Sequence, residues 1–498
     1  MAPYCGLKGK ALHAAIWTEA CFAVAIFGYN QCAAGGVLAT PSFSRQFPAI
    51  DVIDAAESEK HYRSTIQGTV IALYTALGIF GALACTFLGD ILGRRHTVFI
   101  AAVLNLIGSL LMATFYSLAQ FIVSRTIIGL GTGGIIATVS VWQSELSKAE
   151  SRGSHVSAFG IFAGIGLVLG LWLDFGFSYA AGSISWRFPF AFSGILSLFV
   201  MGGIYLLPES PRWLMKVNRP TEAQAILQLL NPTDQEIVEK EIRDIELALQ
   251  LTSGNNKSSI LSMFSMGPQR TFHRLILACT AQMMLQLTGV NCITYYASTV
   301  YEEYLGFPLA EAQILAAASQ FCIVLGSILC AYTVDRYGRR TLMIFSAAAN
   351  AVCFAFETGL VSNPENHGAL KGAVFFLFLF YFVYCIGFLG IPFLYASEIA
   401  PIQHRASICG VSTAVSWAFN FLVAEVTPVA FTDIGYRYFI VYAVLNAAWV
   451  PLLFVFFPET AGRSLEEIDA IFAESKSIFD PPRVARPSSL TPSNSIPK

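Results

Sequence analysis

The segment GDILGRR at residues 89–95 returns in the second part of the chain as VDRYGRR at residues 334–340. Each copy follows a long apolar run and combines an aspartate with a Gly-Arg-Arg triplet. A charged motif of this kind marks the end of a hydrophobic segment. Its return at a distance indicates an internal repeat.

Two further motifs repeat in the same order. They are 143–145 with Arg152, which returns as 396–398 with Arg405, and 208–210, which returns as 458–460. The three repeats predict two halves, 1–208 and 274–458, joined by a cytoplasmic linker over 209–273. The linker has the pattern of amphipathic helices. The Ser- and Pro-rich tail, 459–498, is expected to be cytoplasmic and largely disordered.

The composition excludes a chain of soluble domains. Of the 498 residues, 55% are hydrophobic and 12% are charged, against about 25% charged in typical globular domains. The 30 Lys and Arg residues balance 32 Asp and Glu residues, which leaves no basic field for nucleic acid. The 11 Cys and 7 His residues form no metal-ligand or nucleophile pattern, so we predict no metal, no cofactor and no enzymatic activity.

Apolar runs long enough to cross a membrane recur along the chain. About 20 apolar residues in a helix span the hydrocarbon core, and a helix satisfies its own backbone polar groups there. The predicted spans are 20–44, 64–89, 97–124, 126–144, 153–173, 188–208, 275–301, 312–334, 341–356, 372–397, 406–424 and 438–458. They predict an all-α integral membrane protein with twelve transmembrane helices in two six-helix halves.

Basic residues indicate the orientation. Lys and Arg concentrate in the segments on the side that holds both termini and the linker, which predicts that this side is cytoplasmic. We expect a multi-pass protein of the plasma membrane, in contact with the lipid bilayer. Parallel halves of this kind place a substrate site between them, near the middle of the bilayer.

The repeated motifs place acidic and basic residues together at the cytoplasmic ends of helices. Charge pairs there can form when the inner side closes and separate when it opens, which makes a two-state element. The residues predicted to form this conformational switch are Asp90, Arg94, Arg95, Arg125, Glu145, Arg152, Asp335, Arg339, Arg340, Glu398 and Arg405. Arg125 lies inside a span and is expected to bond backbone carbonyls or to lie near Glu19.

Further motifs along the chain are RTIIGLGTG at 125–133, WQSE at 142–145, PESPRWL at 208–214, QLTGVN at 286–291 and PETAGRSLEEI at 458–468. With 89–95, they make the sequence resemble the sugar porter family of the major facilitator superfamily over nearly the whole chain. The stretches 186–189, 390–392 and 416–428 look most like fungal members of that family. The resemblance implies the major facilitator fold and alternating-access transport of a monosaccharide or related polyol.

Polar side chains inside spans are the candidates for substrate binding, because a hydroxyl-rich solute must exchange water for fixed hydrogen-bond partners. Gln282 and Gln286 share a helix face, and Asn291 converges with them only if the helix bends at Gly289. Any one buried amide is equally compatible with a hydrogen bond between helices. The candidates are Gln282, Gln286, Asn291, Trp417 as an aromatic wall, Asn420, Asn30 and Phe393.

The chain departs from the hexose carriers of the family that it resembles. Amides are usual in those carriers where this chain has Gly160, Leu285 and Ile323, and a tryptophan is usual where it has Phe393. Fewer amides favour a solute that is less hydroxylated, larger or differently shaped.

Energy coupling depends on the first span. Asn30 stands where proton-coupled relatives commonly carry an aspartate, and an amide cannot take up and release a proton near neutral pH. The simplest expectation is passive facilitation. A proton co-substrate is the alternative, because Glu19, Asp174, Glu357 and Glu425 are ionisable residues in or near spans. The resemblance implies that Asp174 and Glu425 are ordinary residues at helix ends.

Two other functions use the same fold. An exporter of a secondary metabolite would suit the missing amides. A sugar sensor that does not transport is less favoured, because the chain after Pro458 is short for a signalling tail.

Overall fold

The computed structural model of the chain describes residues 3–38, 43, 46–48, 57–147, 158–180, 182–253, 263–267, 269–296, 300–362 and 366–485. All regular structure in these ranges is helical. Twelve helical segments there are long and apolar enough to cross a membrane, which confirms the predicted fold class. They are Gly9–Cys32, Gly68–Ile91, Arg94–Ala113, Leu118–Leu146, Phe159–Ser178, Ile184–Ile204, Thr271–Tyr295, Ala310–Tyr337, Arg339–Val361, Gly368–Ile399, Arg405–Phe431 and Gly435–Phe456. We number them as the first to twelfth spans.

Two predicted runs differ from the observed helices. The third helix ends at Ala113 and the fourth begins at Leu118, so the run 97–124, which we expect to extend past the end of its span, covers the turn between them. The hydropathy pattern does not reveal this turn, because apolar residues lie on both sides of it. The residue that marks the turn is Ser117, whose hydroxyl caps the fourth helix by accepting from the Gln120 amide at 3.3 Å. The first helix begins at Gly9, before the apolar run, because its polar first turns lie beyond the hydrophobic stretch.

Glycines allow the spans of the first half to touch backbone to backbone. A Cβ atom on Gly28 would lie 1.9 Å from the Ala163 carbonyl oxygen, and one on Gly133 would lie 2.2 Å from the Gly78 carbonyl oxygen. These approaches join the first span to the fifth and the second to the fourth. Small residues at such contacts are typical of helices packed in a membrane.

The two halves meet along two pairs of spans. The second span packs along the eleventh, and the fifth packs along the eighth. We call the side that carries the linker and both described chain ends the inner side, and the opposite side the outer side.

The linker and part of the tail are helical. The linker holds the helices Pro211–Lys216, Pro220–Leu230 and Gln235–Ser253, as its amphipathic pattern indicates. The tail, expected to be largely disordered, holds the helices Leu465–Glu474 and Pro481–Val484. The first of these packs on the second half, where the buried Arg274 pairs with Asp469 and lies 4.4 Å from the ring centre of Phe472.

Candidate functional site

The seventh span is broken near its middle. Its first helix is Thr271–Leu287, and a second helix, Val290–Tyr295, follows. Gly289 between them has a φ of 99°, which disfavours residues with a Cβ atom. A Cβ atom at Gly289 would lie 2.6 Å from Cζ of Phe354. Glycine is therefore required, and the bend expected from the sequence is present.

The break brings polar side chains of the seventh and eleventh spans together. Asn291 donates from Nδ2 to Oε1 of Gln286, whose Nε2 donates to Oγ of Ser416 at 2.7 Å. One turn along the eleventh span, Oδ1 of Asn420 accepts from the Tyr295 hydroxyl at 2.9 Å. We call these five residues the amide cluster. Three of the predicted binding residues therefore meet in one place.

Several buried amide atoms near this place have no hydrogen-bond partner in the described part of the chain. They are Nδ2 of Asn420, Oε1 of Gln31, and both amide atoms of Gln282, which is 0% exposed. Leaving a buried polar atom unpaired costs about 1–3 kcal/mol. A bound solute with hydroxyl groups would supply the missing partners.

Gln31 is a site residue that the sequence analysis missed. Its side chain lies beside the hydroxyl of Tyr295, so the first half also presents an amide to the cluster. The missed signal was its position directly after Asn30, since adjacent residues on a helix point about 100° apart. The side chains of two adjacent polar residues, 30 and 31, therefore face different neighbouring spans.

The structure places the predicted residue Asn30 away from the amide cluster. Its Nδ2 donates to Oδ1 of Asn105 at 2.9 Å and to Oγ1 of Thr132 at 3.2 Å, and its Oδ1 accepts from Oγ of Ser193 at 2.7 Å. All these partners belong to the first half. Three hydrogen bonds make Asn30 a connector between spans of that half.

A small apolar cavity of about 20 Å³ lies between the halves. Most of its lining residues are nearer the inner ends of their spans than the amide cluster is. The lining comprises Val24, Phe27, Ile136, Ser140, Phe159, Gly160, Ala163, Leu389 and Phe393. The predicted residue Phe393 therefore does face a cavity between the halves.

Trp417 packs against the first and second spans. Its ring centre lies 5.8 Å from that of Phe27 and 5.4 Å from that of Tyr74, both in edge-to-face geometry. A Cβ atom on Gly78 would lie 2.5 Å from Cδ2 of Trp417. The predicted aromatic wall is thus packed against the first half, where it borders the cavity through Phe27.

Arg125 lies far from the other predicted switch residues. It is 2% exposed, and its guanidinium carbon lies 4.6 Å from the ring centre of Tyr74. Arg125 and Glu145 lie on the same helix, about 30 Å apart at 1.5 Å per residue. The expected neighbour Glu19 instead packs against Gly203 in the sixth span.

Asp90, Arg94 and Glu145 form an ion-pair network at the inner side. The side chain of Arg95 instead donates to the Tyr205 carbonyl oxygen at 2.7 Å. Arg94 donates from Nε to Oε2 of Glu145 at 3.0 Å and from Nη2 to Oε1 at 3.2 Å. It also lies 3.5 Å from Asp90. Two parallel bonds of this kind fix the geometry of an arginine–carboxylate pair. This network holds the inner ends of the second, third and fourth spans together.

The second half repeats this network. Arg339 donates to both carboxylate oxygens of Glu398, at 2.7 and 3.1 Å, and to Oδ1 of Asp335 at 2.9 Å. Arg340 donates to the Phe454 carbonyl oxygen at the inner end of the twelfth span. The repeated sequence motifs therefore form equivalent contacts in the two halves.

Two glutamates of the repeated Pro-Glu motifs cap these networks. Glu209 accepts from the backbone amides of Arg94 and Arg95, both at 3.1 Å. Glu459 accepts from those of Arg339 and Arg340, at 2.8 and 3.1 Å. A carboxylate at a helix N-terminus binds free amides and complements the helix dipole. Their roles follow from the motifs, but the sequence analysis did not place them in the switch.

Contacts between the halves close the inner side. Nη1 of Arg405 in the eleventh span lies 3.7 Å from Oε1 of Glu145 in the fourth. Nearby, Oγ of Ser407 donates to the Thr86 carbonyl oxygen at 3.3 Å. The sequence analysis paired Glu145 with Arg152 and Glu398 with Arg405, whereas the structure places Arg405 beside Glu145. Arg152 lies outside the described residues.

A linker lysine joins both halves. Nζ of Lys216 lies 2.8 Å from Oδ2 of Asp90 and 2.9 Å from the Gln403 carbonyl oxygen. The first acceptor belongs to the first half and the second to the second half. His404, which follows Gln403 in the chain, lies beside Lys216 and Asp90. Burial and the charge of Lys216 lower the pKa of the His404 imidazole.

Comparisons with known proteins agree with this architecture. The family model described as "Sugar (and other) transporter" matches residues 17–472. The chain is 33% identical over 480 residues to the sugar transporter STL1 of Saccharomyces cerevisiae, covering 94% of this chain and 83% of that protein. It is 34% identical over 496 residues to the MFS-type transporter oryC of Aspergillus oryzae, covering 97% and 90%.

A solved structure shares the fold. The proton:xylose symporter XylE, from E. coli and bound to 6-bromo-6-deoxy-D-glucose, superimposes with a TM-score of 0.82 at 22% identity, covering 93% of this chain and 100% of that chain. The matched family model covers most of the chain, and both yeast and Aspergillus relatives exceed 30% identity over nearly its whole length. The chain therefore belongs to the sugar (and other) transporter family of the major facilitator superfamily.

Proposed function

We propose that the protein carries a monosaccharide or a related polyol across the plasma membrane by alternating access, as a facilitator with both termini in the cytoplasm. The amide cluster carries this proposal, because it places hydrogen-bonding side chains beside a broken helix between the halves. The unpaired amide atoms of Asn420, Gln31 and Gln282 in and near the cluster match the needs of a solute with several hydroxyl groups. Transport is the sole activity that we propose for the protein.

The closed inner side supports alternating access. Arg405 and Lys216 tie the halves together there, so the cavity is shut off on one side of the membrane. Opening requires these bonds between the halves to separate, while the networks within each half stay intact. Such an element has two discrete arrangements, as an alternating mechanism needs.

Uptake into proteoliposomes tests the proposal. We expect labelled glucose, xylose or glycerol to equilibrate across the membrane without exceeding the outside concentration, and a protonophore to have no effect. Gln286→Ala should slow uptake by roughly tenfold, since it removes two hydrogen bonds at the cluster. Asn366→Ala is the matched amide control, because Asn366 caps a helix at the outer surface. Uptake no faster than in protein-free vesicles would contradict the proposal.

Proton-coupled transport is the second candidate. Asp174 and Glu357 are 3% and 1% exposed, and their carboxylate oxygens have no hydrogen-bond partner in the described part of the chain. An unpaired buried carboxylate is costly, which makes both groups candidate sites for a transported proton. The related fold of XylE belongs to a named proton:xylose symporter.

A pH gradient separates the two candidates. A symporter accumulates solute when the outside is acidic, and loses this accumulation with a protonophore. Asp174→Asn or Glu357→Gln would then abolish accumulation but leave exchange of labelled solute in place. A facilitator shows no accumulation in the wild type.

A further inference from the structure

The break in the seventh span leaves one backbone carbonyl group without a helical partner. This group belongs to Thr288, the residue before Gly289, and in the part of the chain that the structure describes no backbone amide donates to its oxygen. Thr288 is 0% exposed. A buried backbone oxygen needs a hydrogen bond, so the break requires a donor from outside the seventh span.

Asn446 of the twelfth span supplies this donor. Its Nδ2 donates to the Thr288 carbonyl oxygen at 3.0 Å, and to the Tyr442 carbonyl oxygen, one turn earlier in its own span, at 2.8 Å. An amide NH2 group carries two hydrogens, so the side chain satisfies both oxygens at once. Asn446 is 0% exposed, and bulk water therefore does not compete for these bonds.

Aromatic rings of the ninth and twelfth spans pack against the glycine of the break. A Cβ atom on Gly289 would lie 2.6 Å from Cζ of Phe354 and 2.9 Å from Cγ of Tyr442. The centres of these two rings are 5.5 Å apart, and the Tyr442 hydroxyl lies 2.7 Å from that of Tyr438. These rings hold Gly289 by packing, while Asn446 holds the residue before it by a hydrogen bond.

The break positions part of the proposed substrate site. The short helix Val290–Tyr295 begins directly after Gly289, and it carries Asn291 and Tyr295 of the amide cluster. The backbone at 288–289 therefore sets where both side chains lie. Binding side chains keep a fixed geometry when the groups behind them are held by packing and hydrogen bonds.

We infer that Asn446 is a positioning residue of the substrate site, which holds the short helix Val290–Tyr295 in place through the Thr288 carbonyl group. The effect on the solute rests on the proposed function, and the residue lies outside the set that the sequence indicated. Oδ1 of Asn446 has no hydrogen-bond partner in the described part of the chain. The role therefore belongs to its NH2 group.

Hydrogen exchange of backbone amides, measured by mass spectrometry without solute, tests the positioning directly. Asn446→Ala removes both donated bonds. Asn446→Ser keeps a hydroxyl for the carbonyl group one turn earlier in its own helix, but its shorter side chain does not reach Thr288. In both variants, amides of 290–295 should exchange roughly fivefold faster than in the wild type, the effect of one lost hydrogen bond. The first helix, 271–287, should keep its protection.

Asn366→Ala is the matched control for hydrogen exchange. Asn366 caps a helix at the outer surface, so its loss should leave exchange over 271–295 as in the wild type. A melting temperature for each variant, measured in parallel, shows whether it is folded.

Uptake of labelled glucose into proteoliposomes tests the consequence for the solute. Each Asn446 variant should raise the concentration that gives half-maximal uptake by roughly fivefold. In an Asn291→Ala background the same substitution should have a smaller effect, because Asn446 acts through the position of that side chain. A residue needed only for folding would instead lower the amount of active protein and leave the half-saturating concentration unchanged.

The outcomes separate the inference from the proposed function. Wild-type exchange over 290–295 in Asn446→Ser, or faster exchange along the whole seventh span, overturns the inference and leaves the proposed function standing. An unchanged half-saturating concentration, or an undiminished effect in the Asn291→Ala background, also overturns it. Failure of both variants to fold would make Asn446 a residue of general stability and overturn it likewise. Absence of uptake by the wild type contradicts the proposed function, whereas faster exchange confined to 290–295 would still show that Asn446 holds the break.

Discussion

Arg405 of the second half lies 3.7 Å from Glu145 of the first half, and both side chains are 1% exposed. Glu145 is also held by two bonds from Arg94 within its own half. Separation of the halves at the inner side would break the ion pair with Arg405, while Glu145 would keep Arg94 of its own half. The carboxylate therefore stays compensated in both arrangements, and Arg405 sets part of the difference in free energy between them.

Arg405→Gln should shift the protein toward an arrangement that is open at the inner side. Loss of about 1.4 kcal/mol from the closed arrangement corresponds to roughly a tenfold change in population. Double electron–electron resonance between spin labels at the positions of Tyr205 and Tyr337 would measure this change in population. Both residues are exposed at the inner ends of spans in opposite halves. The labels require a background without reactive cysteines.

Arg219→Gln is the control for this measurement. Arg219 pairs with Glu222 in the linker, and both side chains are about half exposed. An exposed pair of this kind contributes little, so the distance distribution should match that of the wild type. Identical distributions for Arg405→Gln and the wild type would show that Arg405 does not hold the halves together.

Acid should weaken the closed inner side through His404. Burial and the nearby Lys216 lower the pKa of His404 below its usual 6.5, while Asp90 acts in the opposite direction. A group with a lowered pKa in the closed form binds its proton less readily there. Stability of that form is therefore complete above pH 6.5 and declines as the pH falls toward the lowered pKa.

The same spin-label distances, recorded from pH 7.5 to pH 5, would show this decline as a growing open population. His404→Gln should remove the dependence, because glutamine does not titrate. Lys216→Met should reduce it, because the pKa of His404 then returns toward its usual value. An equally steep pH response in His404→Gln would assign the effect to another group.

Gly289→Ala should disrupt the broken seventh span. The alanine would have to adopt a positive φ, at a cost of about 1–2 kcal/mol, and its Cβ atom would overlap Phe354 and Tyr442. We expect a lower melting temperature and loss of uptake. Gly202→Ala is the matched control, because a Cβ atom there meets nothing within 4 Å. A Gly289→Ala protein that transports like Gly202→Ala would show that the break is dispensable.

Asn291→Ala should weaken transport and leave membrane insertion intact. It removes the donor to Gln286 and disturbs the amide cluster, for which we expect roughly a tenfold rise in the concentration that gives half-maximal uptake. Kinetics of uptake, with the amount of protein in the membrane measured in parallel, provide the test. Unchanged kinetics would remove Asn291 from the substrate site.

The sequence was sufficient for the fold and for the repeated acid and base pairs of the inner networks, but not for Glu209, Glu459 and Lys216, which join them in the structure. Apolar length alone indicated twelve spans, since the bilayer requires long helices, and the repeat paired 89–95 with 334–340 before any contact was known. The same motifs then form equivalent ion pairs, because each motif spans the turn between two consecutive helices and brings its aspartate to the arginine that begins the next helix. Gly289 likewise marked the bend in the seventh span.

Other features depended on how each helix is rotated against its neighbours. Asn30 faces its own half while Gln31 faces Tyr295, and apolar pattern does not distinguish two adjacent polar residues on a span. Arg125 belongs with Tyr74 rather than with the switch, because twenty residues of helix separate it from the inner side. The hydrophobic effect fixes which segments enter the membrane, whereas contacts between helices decide which side chains meet, and only the tertiary structure contains those contacts.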